Sequence, residues 1–185
     1  MKGNHQQSSV LSALSKEQLI SLTSIDEICA DFIGKNKPFI RFLVEDKHID
    51  GKEIAKVLSN KFGYPYIQLA NFDASLIPEG IRNEKLITKH NALPLFLRGK
   101  VLFVAMSDPT NIDALEEIQF NTGFSTELVL TDEGGLQACI EKVLEDESDA
   151  LDITDIDSEE LSGLEVQEDK KEDDVNSGED DAPIV

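Results

Sequence analysis

The distribution of apolar residues is the feature that most constrains the fold, because their helical or strand spacing stops at Leu144. From Glu145 to Val185 the chain has 18 Asp or Glu residues and two Lys residues, so this segment carries −16 of the formal net charge of −20. Such a composition cannot bury enough apolar surface to offset the entropy cost of ordering the chain. We therefore expect the core to lie before residue 146 and residues 146–185 to form a flexible acidic linker.

The charges in the rest of the chain exclude several classes of partner. Residues 1–144 contain 19 acids and 15 bases, and the bases are scattered among the acids. Binding to nucleic acid needs a basic stripe, and attachment to an anionic membrane needs a similar cationic excess. The chain also lacks a run of about 18 apolar residues and a signal peptide at its start. We expect a cytoplasmic protein without nucleic-acid partners or direct membrane insertion.

Before Gly63, apolar residues recur at the spacing of amphipathic helices. Two pairs, Ser24 with Glu27 and Asp50 with Glu53, match the capping box that satisfies free backbone N–H groups at a helix start. The helix after Ser24 presents five apolar residues at i, i+3, i+4, i+7 and i+8, which are Ile25, Ile28, Cys29, Phe32 and Ile33. Because glycine is a natural helix end, Gly63 is predicted to close a bundle of three or four short helices.

Beyond Gly63 the spacing changes to that of strands alternating with helices. Two apolar runs flank a Gly-containing turn and predict a hairpin formed by residues 92–97 and 101–106. Further strands are predicted at 64–69 and 126–130. Helices are predicted near residues 83–89, from Asn111 or Asp113, and from Asp132 onwards. The order β-α-β-β-α-β-α predicts an α/β sandwich with a small mixed sheet.

These patterns divide the chain into four segments. They are a disordered start at residues 1–8, a helical subdomain at 9–63, an α/β subdomain at 64–145 and the acidic linker at 146–185. The predicted fold class is therefore α/β of the α+β kind, with a small helical bundle followed by an α/β sandwich and an acidic tail.

Residues that could carry chemistry do not form a recognisable catalytic or metal-binding motif. The sequence has no G-x-x-x-x-G-K-[ST] phosphate loop and no G-x-G-x-x-G turn. Cys29 and Cys139 occupy apolar helical positions and are interpreted as buried hydrophobic residues. His5, His48 and His90 are scattered and are interpreted as surface residues. We expect no catalytic, cofactor-binding or metal site, and therefore no enzyme activity in this chain alone.

Several sequence runs between Pro38 and Glu145 carry a family resemblance. They lie at residues 42–50, 54–62, 63–69, 93–95, 101–109, 114–115 and 119–123. The most specific pattern is Leu-Pro-Leu, a glycine, Val-Ala-Met-x-Asp-Pro, Ala-Leu and Thr-Gly, in that order. In these runs the chain resembles the N-terminal domain of the GspE/PilB family of secretion and pilus ATPases, and most of all its type IV pilus assembly branch.

The resemblance implies a regulatory and docking domain rather than a motor. Residues 181–185 resemble the opening of the next domain in that family, so the chain is expected to end just before the ATPase domains. Those absent domains would bind ATP and Mg and would form the hexamer. The implied partners are a PilZ-type adaptor or inner-membrane platform proteins, which would recruit the cytoplasmic protein to the inner membrane.

Some members of this family bind cyclic di-GMP through two copies of a motif that opens with Arg-Leu-Gly. Aligning the chain with this motif places residues 9–11 at the first opening and residues 38–40 at the second. Both arginines, which supply a planar fork and a stacking face for such a ligand, are absent here. We therefore expect no cofactor in this chain, and a cyclic di-GMP sensor is the alternative function.

A docking domain predicts an apolar patch on the helical bundle that a partner protein can cover. The candidate partner-binding residues are Leu14, Leu19, Phe39 and Phe42, and an ordinary core position is the alternative for each. A third class of function, an independent small enzyme, is supported by none of the motifs.

Overall fold

The computed structural model describes residues 3–145, and the expected acidic linker at 146–185 lies outside the described residues. The first part of the fold is a set of four α-helices: α1 (Gly3–Lys16), α2 (Ile25–Phe32), α3 (Phe39–Glu45) and α4 (Gly51–Phe62). A single 3-10 turn, Leu22–Ser24, precedes α2. The prediction of a small helical bundle is confirmed.

The start of the chain differs from the prediction. Residues 3–8 were expected to be disordered, but they form the first turns of α1. The later part of this helix buries Val10, Leu11 and Leu14 almost completely. Packing of this apolar face stabilises the helix, which then extends into a polar sequence that shows no helical pattern of its own.

Local capping explains α4 but not α2. The Asp50 carboxylate accepts hydrogen bonds from the backbone N–H groups of Lys52 (2.8 Å) and Glu53 (3.2 Å), so Asp50 is the predicted N-cap. Gly63 ends α4 in the left-handed conformation at φ +77°, which costs glycine little. The prediction at Ser24 is wrong, because its side chain makes no capping hydrogen bond at the start of α2.

The second part of the fold combines a three-stranded sheet with three helices. The strands are β1 (Ala92–Arg98), β2 (Val101–Met106) and β3 (Ser125–Leu130), and the helices are α5 (Glu84–His90), α6 (Ile112–Thr122) and α7 (133–145). In the order β1-β2-β3, β1 pairs antiparallel with β2, and β2 pairs parallel with β3. The predicted hairpin and the small mixed sheet are therefore confirmed.

The strand predicted at residues 64–69 is reduced to one bridge. Tyr66 pairs with Leu130 in parallel, through hydrogen bonds from Leu130 N to Pro65 O (2.8 Å) and from Ile67 N to Leu130 O (2.9 Å). Pro65 has no N–H group to extend the ladder. This segment therefore touches β3 without becoming a fourth strand.

The core forms two clusters on opposite faces of the sheet. On the bundle face, Leu102, Val104 and Met106 pack with buried residues of α1, α2, α3 and α4. On the α7 face, Leu93 and Ala105 pack with buried residues of α5 and α7, as expected for alternating side chains of a strand. The sheet is thus a middle layer between the helical bundle and the last helix.

Candidate functional site

A cleft of about 660 Å³ opens beside the carboxyl end of β2. It is lined by the loop before α3, by the last turn of α5 and by three residues that follow β2, which are Ser107, Asp108 and Asn111. Strand β3 is parallel to β2, so the chain that leaves β3 reaches the same edge of the sheet. Ligands of α/β proteins bind at this edge, outside the carboxyl ends of the strands.

The buried carboxylate of Glu133 lies beside this cleft. It is only 2% exposed and accepts hydrogen bonds from Arg41 Nε (2.9 Å), from Asn91 Nδ2 (3.1 and 3.0 Å) and from Ser107 Oγ. Arg41 Nη2 and Gln137 Nε2 both donate to Asn91 Oδ1. Glu133 therefore links helix α3 to the sheet, and its oxygens are fully occupied by donors.

Local backbone geometry brings these partners together. Asn91 adopts the left-handed conformation at φ +52° as the C-cap of α5, and this bend directs the chain from α5 into β1. Asp132 accepts a hydrogen bond from Gly135 N (2.8 Å) and caps the start of α7, as predicted. The capped start fixes Glu133 in the first turn of α7.

Lysines on the rim of the cleft are already paired with acids. Lys37 donates to Glu45 Oε2 (2.9 Å) and to Asp46 Oδ1 (2.7 Å), while Lys35 donates to Asp46 Oδ2 (2.9 Å). Hydrogen bonds from Lys37 and then Lys35 lower the pKa of Asp46 to about 2, and the same contact with Asp46 raises the pKa of Lys37. These exposed pairs shape the rim without large stabilisation.

The opposite rim carries a similar arrangement around Glu117. Lys89 Nζ lies 2.7 Å from both Glu117 carboxylate oxygens, and His90 Nε2 lies 2.7 Å from Oε2. Hydrogen bonds from Lys89 and His90 lower the pKa of Glu117. His90 lines the cleft with its side chain 10% exposed, so it is more buried than the predicted surface position.

Asp108 is a second acid in the lining of the cleft. Burial raises the pKa of its carboxyl group, and hydrogen bonds from the hydroxyl and the backbone N–H of Thr110 partly oppose this shift. Asp108 lies two residues after the end of β2, and its contact with Thr110 orders the turn that leads into α6. Its position therefore fits a structural role in the lining of the cleft.

The other reactive groups of the described chain do not converge on the cleft. Burial raises the pKa of the Cys139 thiol, which lies in the core, whereas Cys29 is half-buried in α2 and so is less buried than predicted. Within residues 3–145, no group of three or more His, Cys, Asp or Glu residues is arranged to hold a metal ion. The charged groups of the cleft that are named above are engaged in contacts within the chain.

The structure places most of the predicted partner-binding residues in the core. Leu14, Phe39 and Phe42 are buried, and Leu19 is half-buried against the same cluster. Phe39 and Phe42 pack around Phe32, with ring centroids 4.9 and 5.2 Å from it. These positions match the core alternative, and partner binding through the four residues stays a prediction.

Sequence reasoning missed the residues that surround Glu133. Arg41 and Glu133 are 92 positions apart, so no local pattern connects them. Two signals were present nevertheless, because Ser107 and Glu133 each follow closely on a buried strand. Polar residues at this position of adjacent parallel strands are expected to meet at one edge of the sheet.

In the part of the chain that the structure describes, every helix is too short or too polar to cross a bilayer. This agrees with the absence of a long apolar run in the sequence.

The comparisons with known proteins agree with one another. Residues 62–150 match the family model of the MshEN domain. The type IV pilus assembly ATPase PilB of Pseudomonas aeruginosa is 34% identical over 182 residues, which cover 95% of this chain and 32% of that protein. PilB of Acinetobacter baylyi is 37% identical over 98 residues, covering 53% of this chain and 17% of that protein. The chain thus spans at most about a third of these curated relatives.

Two solved structures share the fold. The N-terminal domain of XpsE superposes with a TM-score of 0.61 at 14% identity. The superposed region covers 74% of this chain and 94% of the XpsE chain. A structure of MshE with cdg superposes with a TM-score of 0.56 at 19% identity. The superposed region covers 72% of this chain and 97% of the MshE chain. From the sequence relatives and this shared fold, we conclude that the chain belongs to the GspE/PilB family of ATPases and corresponds to its N-terminal domain.

Proposed function

We propose that this chain is a non-catalytic regulatory and docking domain of a type IV pilus assembly ATPase. Its partner would be a PilZ-type adaptor or an inner-membrane platform protein. The observation that carries the proposal is the 34% identity to PilB of Pseudomonas aeruginosa over 95% of this chain. The matched region covers 32% of PilB, which leaves most of that protein for other domains.

The geometry of the cleft supports docking better than chemistry. Glu133 accepts hydrogen bonds from Arg41, Asn91 and Ser107, so it has no free lone pair to take a proton from a substrate. Asp108 is likewise held by Thr110. A general base needs hydrogen-bond access to the proton that it removes, and these two acids are occupied by structural contacts.

The wider setting of the domain belongs to the same proposal. The parent protein would be a cytoplasmic hexamer recruited to the inner membrane through its partners, with ATP and Mg bound in the other domains. No cofactor is proposed for the chain described here. Its role would be to connect the motor to the pilus assembly machinery.

A cyclic di-GMP sensor is the second candidate, and the structure of MshE with cdg is the observation that favours it. The residues here weaken this candidate. Ser9 and Pro38 stand where the motif has arginine, and the cations nearest to Pro38 along the chain are engaged: Lys37 by Glu45 and Asp46, and Arg41 by Glu133. Binding would have to break these ion pairs without gaining a guanidinium fork.

Calorimetric titration tests the two candidates side by side. The chain would be titrated with a purified PilZ-type adaptor, with the cytoplasmic region of a platform protein and with cyclic di-GMP, using GMP as the matched nucleotide control. We expect one protein partner to bind with a Kd of about 10 μM or tighter, and cyclic di-GMP to give no more heat than GMP. One-to-one binding of cyclic di-GMP alone would replace docking by sensing, and no binding of any of them would refute both.

A further inference from the structure

Two phenylalanines form a stacked pair on the sheet outside both core clusters. Phe96 of β1 faces Phe103 of β2, with ring centroids 4.9 Å apart and an interplanar angle of 23°. Phe96 is 38% exposed and Phe103 is half-buried. Neither ring belongs to the bundle-face cluster or to the α7-face cluster, so core packing does not explain the pair.

A β-bulge places Phe96 on the α7 face of the sheet. Pro94 pairs with Val104 and Phe96 pairs with Phe103, so Leu95 is an extra residue in β1. The bulge lets both Leu95 and Phe96 turn toward the α7 face, and Leu95 is fully buried there. Bulges of this kind re-aim side chains, and here the re-aimed side chain is an exposed aromatic ring.

Two cations flank the aromatic pair at the end of the hairpin. Arg98 ends β1, Lys100 precedes β2, and both are exposed around Gly99. Within the part of the chain that the structure describes, neither cation forms a salt bridge. Six of the other twelve Lys and Arg residues in this part of the chain do, namely Lys35, Lys37, Arg41, Lys47, Lys56 and Lys89. The hairpin therefore presents positive charge that internal acids do not neutralise.

We propose that the hairpin patch, formed by Phe96, Phe103, Arg98 and Lys100, binds an acidic segment of a partner protein that carries apolar side chains. This inference rests on the proposed docking function and names a surface and a partner chemistry for it. The aromatic rings would cover the apolar side chains of the segment, and the two cations would pair with its carboxylates. Aromatic residues and Arg are enriched at such interfaces, and charge complementarity sets specificity and association rate.

An exposed acid beside the patch gives the bound segment a direction. Glu127 of β3 is exposed and lies next to Phe103 in the sheet register. Like charges at an interface are unfavourable, so the carboxylates of the segment should lie at the hairpin end, away from β3. Its apolar side chains would then lie over the two rings.

Two other occupants fit the charges less well. A second copy of the chain in a two-fold contact would bring Arg98 and Lys100 close to the same cations of its partner. A lipid surface would meet only these two cations on a body whose residues 1–144 carry a net charge of −4, and binding to anionic lipids needs clusters of about 4–8. An acidic protein segment meets neither obstacle.

Amide shifts of the full chain would test the hairpin patch. The probe is a synthetic peptide, Asp-Glu-Leu-Asp-Phe-Glu-Ile-Asp, and its control replaces each acid by the matching amide. We expect the acidic peptide to shift the amides of residues 96–103 and to bind about tenfold more tightly than the control. The double variant Arg98→Glu with Lys100→Glu should lose this binding, and the matched variant Lys52→Glu with Lys61→Glu on α4 should retain it.

Several outcomes would overturn the inference. These are equal binding of the two peptides, shifts confined to another surface, or undiminished binding by the hairpin variant. Concentration-dependent shifts at residues 96–103 without peptide would assign the patch to a second copy, and binding to vesicles of anionic lipid through the hairpin would assign it to a membrane. If neither the adaptor nor the platform protein binds but the acidic peptide binds as expected, the proposed docking function is refuted and the hairpin patch is still supported as a binding surface.

Discussion

At the residue scale, Glu133 shows how the chain keeps an acid inside the fold. Removing a carboxylate from water costs several kcal/mol, and the cost is offset only when donors surround the group. Arg41 of α3, Asn91 at the end of α5 and Ser107 after β2 supply these donors. These hydrogen bonds depend on correct packing of the bundle against the sheet. Any arrangement that separates the two would leave the Glu133 carboxylate without donors and would be unfavourable.

The substitution Arg41→Met tests this dependence. It removes the only salt bridge of Glu133 within the described residues while keeping most of the side-chain volume. We expect the free energy of unfolding to fall by roughly 2–4 kcal/mol, somewhat less than for a fully buried pair because Arg41 is 26% exposed. The measurement is urea unfolding followed by far-UV circular dichroism.

The control for Arg41→Met is Lys56→Met, which breaks the exposed Glu53–Lys56 pair on α4. We expect no change in its unfolding midpoint, since such pairs contribute little. The double variant Arg41→Met with Glu133→Gln should recover part of the loss, because a neutral amide replaces the unpaired charge. Equal midpoints for Arg41→Met and Lys56→Met would contradict the role given to Glu133.

At the element scale, sequence patterns were sufficient where the interactions are local. The hairpin follows from two apolar runs around Gly99, and α4 follows from Asp50 at one end and Gly63 at the other. The failures have equally local causes. The strand predicted at 64–69 is limited to the bridge at Tyr66 because Pro65 has no N–H group, and α1 begins early because its packed face extends a helix into a polar sequence.

The candidate site was not predictable in the same way. Arg41, Asn91, Ser107 and Glu133 come together through tertiary packing, and single-sequence spacing carries no information about contacts across 92 residues. Only the rule that polar residues gather after parallel strands could have selected Ser107 and Glu133. The family resemblance identified the domain, but it did not identify this group of residues.

Two helix starts provide a prediction at this scale. Asn83 caps α5 by accepting a hydrogen bond from Leu86 N (3.2 Å), whereas Ser24 makes no such bond at α2. We expect Asn83→Ala to cost about 1 kcal/mol and Ser24→Ala to leave stability unchanged. Asn83→Asp, which keeps a capping oxygen, is the matched control. Equal losses for the two alanine variants, measured by urea unfolding, would show that the capping geometry described here is wrong.

At the scale of the whole molecule, the boundary between the helical and α/β subdomains does not divide the core. The bundle-face cluster contains residues of α1 to α4 together with Leu102, Val104 and Leu128 of the sheet. The MshEN match begins at residue 62, where the helical bundle ends. Its start therefore follows the change from the bundle to the α/β subdomain and not a boundary of the core. Separation of the two parts would expose one complete face of the sheet to water.

We therefore predict that the folded part unfolds in a single cooperative transition. The chain has no Trp, and its two tyrosines, Tyr64 and Tyr66, lie where the two parts join, so tyrosine fluorescence reports on the junction while far-UV circular dichroism is dominated by the helices. The two urea transitions should coincide.

A fragment of residues 64–145 should lack a cooperative transition, because without the bundle the apolar side chains of the bundle face have no cover. Two separate transitions, or a cooperatively folded fragment, would show that the helical bundle is an independent domain and that the Arg41–Glu133 contact joins two bodies instead of completing one.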